Sequence, residues 1–150
     1  MSLDFNWSRF NELDTRAFFE IARARETVFV VEQACAYPEL DALDLTAWHL
    51  RATKGGELAA YVRVVGPKEK FAEPSIGRVM TVAAFRGQGL GHELMAEAIR
   101  FTEAAYPGQS IRIGAQAHLA DFYASLGFDA VSEPFDEDGI PHIEMIKLAP

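Results

Sequence analysis

Apolar and polar positions along the chain change period often enough to mark its elements. Phe5 to Arg9 reads as a short first strand. From Thr15 to Val31 the apolar residues Ala17, Phe18, Ile21, Ala24, Val28 and Val31 recur at the three-to-four spacing of a helix. Asp14 stands where an N-cap belongs. Glu32 to Asp44 is polar, contains Pro38 and reads as a long loop. Ala47 to Thr53 and Leu58 to Val65 flank Gly55-Gly56, the signal of a β-hairpin. After a loop over Gly66 to Pro74, Ile76 to Phe85 reads as a central strand. Leu90, Leu94, Ala98, Ile99 and Ala105 give the next helix its apolar stripe, and Pro107-Gly108 ends it. A strand at Ser110 to Ala115 and a short helix at His118 to Leu126 follow. Strands at Phe128 to Val131 and His142 to Leu148 close the chain, joined by an acidic turn over Phe135 to Pro141. The order strand, helix, three strands, helix, strand, helix, two strands predicts a mixed α/β sheet rather than repeated βαβ units.

Between the central strand and its helix lies Arg86-Gly87-Gln88-Gly89-Leu90-Gly91. Alternate glycines let the backbone turn sharply and gather its N–H groups into a concavity. The helix that follows adds unpaired N–H groups and a positive dipole end. Together they predict a seat for a phosphate or diphosphate. The spacing is not the G-x-G-x-x-G of a dinucleotide fold, and a hairpin comes first. Gly91-His92-Glu93 lacks the lysine and hydroxyl that end a P-loop.

At 150 residues, 49% apolar, the chain reads as one domain over residues 1–150 with a full core. No stretch predicts a membrane span, and Met1 to Arg9 lacks a signal-peptide layout. A single cysteine, Cys35, points to the cytoplasm. The formal charge of −8 argues against nucleic acid as a partner. The carboxylates Glu39, Asp41, Asp44, Glu133, Asp136, Glu137 and Asp138 are solvated loop faces or a field that attracts a cationic amine. The four histidines lack metal-ligand spacing, so no metal site is expected.

Arg86-x-x-Gly89-x-Gly91 after a strand resembles the acyl-CoA motif of the GNAT N-acetyltransferase superfamily. Phe122-Tyr123-x-x-Leu126-Gly127-Phe128 is similar to its second motif. Three further strings resemble the ElaA-like branch: Arg25-x-x-Val28-Phe29-Val30-Val31-Glu32-Gln33, Gly114-Ala115-Gln116-Ala117-His118-Leu119 and Glu137-Asp138-Gly139-Ile140-Pro141-His142. The resemblance spans nearly the whole chain. It implies a largely antiparallel central sheet of about six to seven strands, splayed at the central strands and flanked by helices on both faces. It also implies acetyl-CoA as co-substrate and a primary amine, small or on a protein, as acceptor. The backbone of Met80, Thr81, Val82 and Ala83 would pair with the pantetheine arm. Arg86, Gly87, Gln88, Gly89, Leu90, Gly91 and His92 would hold the diphosphate, and Tyr123 would sit near the sulfur.

Acyl transfer to an amine first needs the amine unprotonated. From a pKa near 10.4 that costs roughly 4–5 kcal/mol at pH 7. Glu32, His49 and His142 are the candidate bases, with Asp44 behind them. His49 faces with Val62 if the hairpin loop has two or four residues, and with Tyr61 or Arg63 if it has three; a one-residue slip reverses the face. The carbonyl oxygen then needs a donor, for which the Val82 N–H is expected to be free, worth about 3–4 kcal/mol in comparable enzymes. The departing thiolate needs a hydrogen bond, which Tyr123 supplies; full proton transfer from an ordinary phenol is uphill by roughly 2 kcal/mol. Arg25, Gln33, Tyr37, Asp41, Asp44, Arg63, Arg78 and His142 are the candidates to read the acceptor. Arg25 and Arg78 are the stronger of the arginines for a substrate carboxylate, each equally suited to pair with a carboxylate of the chain. Cys35 reads as a bystander, which favours direct transfer in a ternary complex. Two other readings stand beside this one: a CoA-binding or partner-binding module without turnover, and an acyl-homoserine-lactone-synthase-like acyltransferase, against which the acidic charge counts. Self-association into a homodimer stays open.

Overall fold

The computed structural model describes residues 3–150; Met1 and Ser2, the start of the segment read for a signal layout, lie outside them. Strand β1 (Asp4–Arg9) leads through a 3₁₀ turn to helix α1 (Thr15–Arg25), whose N-cap Asp14 accepts from the Ala17 N–H at 2.7 Å. The predicted helix runs to Val31, and here the structure differs. From Glu26 to Glu32 the helix widens into a π-helical segment. Its β-branched residues Thr27, Val28, Val30 and Val31 suit a tight α turn poorly. The Cys35 N–H closes it on the Val30 carbonyl at 3.0 Å.

Strands β2 (Trp48–Lys54) and β3 (Glu57–Val65) form the hairpin, with Gly55 and Gly56 at φ of 62° and 84°, the left-handed pair of a two-residue turn. β4 (Ser75–Thr81) pairs with β3, giving an antiparallel sheet in the order β1-β2-β3-β4. The predicted strand to Phe85 ends at Thr81, and Ala83–Phe85 turn as 3₁₀ into the glycine elbow. Helix α2 (Leu90–Ala105) follows, then β5 (Ile111–Gln116) and the short α3 (Ala120–Ala124). The chain ends in β6 (Asp129–Ala130), β7 (Phe135–Glu137) and β8 (Ile140–Lys147). The second sheet has β8 at its centre, between β5 and β6, with β7 also on β8. Phe135 to Pro141 is thus more than the predicted acidic turn: it is a second hairpin, turning at Asp138 and Gly139 with φ of 56° and 80°.

Helices cover both faces. On one side Leu94, Met95, Ala98 and Ile99 of α2 pack on Leu50, Ala52, Val62 and Val64. Trp7 stacks on Phe101 with ring centroids 3.8 Å apart and donates its indole N–H to Glu97. On the other side Ile21 of α1 packs with Tyr61 and Met80, and Val28 and Phe29 of the π segment join them. Burial of the larger aliphatic and aromatic side chains among these contributes about 1.5–3 kcal/mol each. The two sheets meet where β4 and β5 begin, through the Arg112 N–H on the Pro74 carbonyl at 3.1 Å. They are not laddered to one another beyond it, so the sheet opens toward Thr81 and Gln116. No helix of the described residues is long and apolar enough to cross a membrane.

Candidate active site

The opening between β4 and β5 is a cleft of about 470 Å³. Its walls are β4 from Ile76 to Thr81, the ends of β5 and β8, the π segment and the β7–β8 turn. Two irregularities in the sheet decide which groups face it. In β4 the ladder pairs Met80 with Tyr61 and Gly77 with Arg63, so Arg78 and Val79 together stand opposite Val62 as a β-bulge. Arg78 is there at φ 52°, rare for a residue with a side chain. At the strand's end the Val82 N–H donates to the Ala59 carbonyl at 2.8 Å. The expectation of a free Val82 N–H is therefore wrong: antiparallel alternation turns Met80 and Val82 toward β3. The same alternation turns the Thr81 backbone to the open edge, and its carbonyl accepts from Arg86 Nε at 3.0 Å. Bulging removes Val79 from the ladder too. Thr81 and Val79, not Met80 and Val82, carry the backbone that β3 does not use. Val82 and Ala83 lie instead on a shallow hollow beside α1, outside the cleft.

Beyond Arg86 the chain makes the predicted elbow. Gly87 and Gly89 have φ of 79° and 73°, and nothing lies within 4 Å of where a side chain would begin at either. Gly89 is the N-cap of α2. Gly91 is different. It sits in the first turn of α2, where glycine costs about 1 kcal/mol against alanine, and a Cβ there would meet only the Phe122 ring at an ordinary 3.5 Å. No internal contact demands its small size. Gln88 is tied back by Lys54 Nζ at 2.6 Å. His92 packs edge-on against Phe122.

Tyr123 reaches the cleft from α3. The residue is buried, which pushes its phenol up to about 12. Among the described residues its hydroxyl has no hydrogen-bond partner, unlike the buried Tyr61. With that pKa, full proton transfer to a thiolate would be uphill by roughly 5 kcal/mol, which suits the phenol to hydrogen-bond donation rather than acid catalysis.

The remaining predicted residues divide. Gln33, Arg78 and His142 line the cleft. His142 Nδ1–H donates to the Ile140 carbonyl at 2.7 Å, and Nε2 lies 3.3 Å from Glu137 Oε2. Gln33 Oε1 accepts from Gln116 at 3.4 Å. Glu32 stands outside the lining, paired with Arg86 at 2.7 Å.

Arg25, Asp44 and His49 are a correction. Arg25 is 0% exposed; its guanidinium donates to both Asp44 carboxylate oxygens and to Glu39 Oε2. Asp44 also takes Arg63 at 3.1 Å. These groups clamp the loop over Glu39–Asp44 onto α1 and β3 and reach no acceptor. His49 is 0% exposed as well. Its Nε2–H donates to the Asp44 carbonyl at 2.9 Å, so Nδ1 accepts from the Tyr61 hydroxyl at 2.6 Å. Neither nitrogen is available as a base. The hairpin loop has the two residues that predicted a Val62 face, but a bulge at Ala52/Thr53 shifts the register by one and sets His49 opposite Arg63.

Burial holds the His49 pKa below its ordinary 6.5, and it is neutral in the fold. For Asp44 burial opposes ionisation, but hydrogen bonds from Arg25 and the Asp41 N–H overcome it and hold the carboxyl below its ordinary 3.8. Both folded pKa values are depressed, so both contributions are present above the unfolded values and lost as the pH falls. Stability should decline from about pH 6.5 downward through His49, and again below about pH 3.8 through Asp44. Urea unfolding across this range should show the first limb in the native protein and its absence in His49→Gln.

Comparison with known proteins agrees with this geometry. The model of the acetyltransferase (GNAT) domain matches residues 22–149. The UPF0039 protein sll0451 of Synechocystis is 43% identical over 151 residues, covering 100% of this chain and 98% of that protein. Protein ElaA of Escherichia coli is 39% identical, with 91% of each chain covered, and its crystal structure superposes with a TM-score of 0.90 over 97% and 99% of the two chains. An acyl-CoA N-acyltransferase from Pseudomonas aeruginosa superposes with a TM-score of 0.92 at 41% identity, over 97% and 99%. With the cleft, the elbow and the similarity along its length, the chain belongs to the GNAT acetyltransferase superfamily, in its ElaA-like branch.

Proposed function

We propose that the protein is an acyl-CoA-dependent N-acyltransferase that moves an acetyl group from acetyl-CoA to a primary amine in a ternary complex. The observation that supports this most is the open edge of β4: backbone the ladder leaves unpaired, lining a cleft that reaches Arg86, the residue before a glycine elbow at a helix start. The elbow N–H groups from Gly87 to His92 hold the diphosphate. The Thr81 backbone pairs with the pantetheine arm. Val79 N–H takes over from Val82 as donor to the thioester oxygen.

His142 is the base that lines the cleft, oriented by the Ile140 carbonyl and with Glu137 beside it to stabilise the imidazolium. It takes one proton from the attacking ammonium. The amine nitrogen then bonds to the carbonyl carbon, the carbon–sulfur bond breaks, and the second proton, shed by the new amide nitrogen, passes through solvent to the thiolate, which Tyr123 holds by a hydrogen bond. The test is thiol release from acetyl-CoA against a panel of amines. Tyr123→Phe should lower kcat about 10- to 100-fold, the worth of a hydrogen bond to a charged group, with acetyl-CoA affinity nearly unchanged. CoA binding without thiol release for any amine would leave a binding module in place of an enzyme.

A further inference from the structure

We propose that Arg78 binds a carboxylate carried by the acceptor, so that the acceptor is an amino acid or a related amine–carboxylate compound rather than a simple amine. The proposal rests on the acyltransferase reading and names the substrate class of that site. Arg78 lies in the β4 bulge at φ 52°, a conformation a glycine would adopt more cheaply. Strained residues of this kind persist where the surroundings or the function require them. Its guanidinium lines the cleft and lies over the Phe29 ring, 5.4 Å from the centroid.

The protein satisfies that guanidinium only in part, through one ion pair with Glu39. Arg78 Nε is buried and 2.8 Å from Glu39 Oε2, yet without the angle for a hydrogen bond. The same Glu39 oxygen already accepts from Arg25 Nε at 2.8 Å. Among the described residues Arg78 makes no hydrogen bond at all, while the buried Arg25 and Arg63 are bonded to carboxylates. Glu39 engages Nε alone, as an ion pair; the terminal N–H groups, in the cleft and without a protein partner among the described residues, match the two oxygens of a carboxylate.

The faces of the sheet say which substrate brings it. Tyr123, beside the sulfur in the proposed reaction, packs in the core on the α2 face. Phe29, on which Arg78 lies, packs in the cluster on the α1 face. The two groups approach the opening from opposite sides, which puts Arg78 with the acceptor.

The experiment measures thiol release from acetyl-CoA with α- and ω-amino acids, each paired with its decarboxylated alkylamine, in the native protein and in Arg78→Gly. Glycine suits the local φ, so the variant should fold with an unchanged or raised Tm. Native protein should prefer the carboxylated member of at least one pair about 10- to 100-fold in kcat/KM. In Arg78→Gly the two members should converge, with the KM for acetyl-CoA unchanged. Equal rates for every pair in the native protein would overturn the proposal. So would a preference for succinyl-CoA over acetyl-CoA with simple alkylamines that Arg78→Gly abolishes, because the carboxylate would then belong to the donor. Thiol release from no amine would fail the acyltransferase reading, and binding would then decide the role of Arg78. N-Acetyl amino acids should bind the native protein and not Arg78→Gly, and N-acetylalkylamines neither; any other pattern overturns the assignment.

Discussion

Arg25→Met should destabilise the fold by about 3–5 kcal/mol, the largest effect of any single substitution outside the cleft. The side chain is fully buried and satisfies Asp44 through two hydrogen bonds and Glu39 through a third. Methionine fills similar volume, so packing loss is small. What remains is a buried Asp44 with only Arg63 and the Asp41 N–H to hold its charge. The loop over Glu39–Asp44 then loses its anchor to α1, and the His49 hydrogen bond to the Asp44 carbonyl goes with it. Denaturant unfolding measures the loss. Because the clamp acts through ionised Asp44, the gap between native and variant should narrow once the pH falls well below about 3.8. Replacing Arg25 and Asp44 together by apolar residues should cost less than Arg25→Met alone, since no lone charge stays buried.

Gly89→Val should reduce CoA affinity by two orders of magnitude or more while leaving the remainder of the fold in place. At φ 73° a β-branched residue strains the backbone by about 1–3 kcal/mol. The elbow relieves that strain by moving, and the N–H groups proposed to converge on the diphosphate lose their common focus. The loss should appear in binding of the donor, not in kcat once the donor is saturating, which separates it from the Tyr123→Phe effect. Calorimetric titration of both proteins with CoA reads it directly. An unaltered Kd in Gly89→Val would remove the elbow from the site.

Much of this was legible in the sequence because each signal was local. Gly55-Gly56 names a two-residue turn, Asp14 a cap, Gly87 and Gly89 positions that need a positive φ, and the stripe from Leu90 to Ala105 a helix face. Asp138-Gly139 carried the same hairpin signal and was read only as part of an acidic turn. What escaped depended on tertiary fit. The widened turn over Glu26–Glu32 keeps an ordinary helical apolar spacing. The bulges at Ala52/Thr53 and Arg78/Val79 carry no residue that announces them, yet they decide the face of His49 and the identity of the free backbone groups. Arg25 and Arg78 look alike as candidates for a carboxylate. Only packing shows that one is consumed by Asp44 and Glu39 while the other faces the cleft, ion-paired to Glu39 through Nε alone and without a hydrogen bond.

The proposed holder of the CoA diphosphate is the elbow at Gly87–His92, beside an open β4. The most direct measurement is a pair of calorimetric titrations of the native protein, one with CoA and one with pantetheine, which lacks the diphosphate and the nucleotide. The account predicts saturable binding of CoA, with about 2.7 kcal/mol of added stability at 100 times its Kd, and pantetheine binding weaker by at least about two orders of magnitude. Equal affinity for the two, or no binding of CoA, would contradict it.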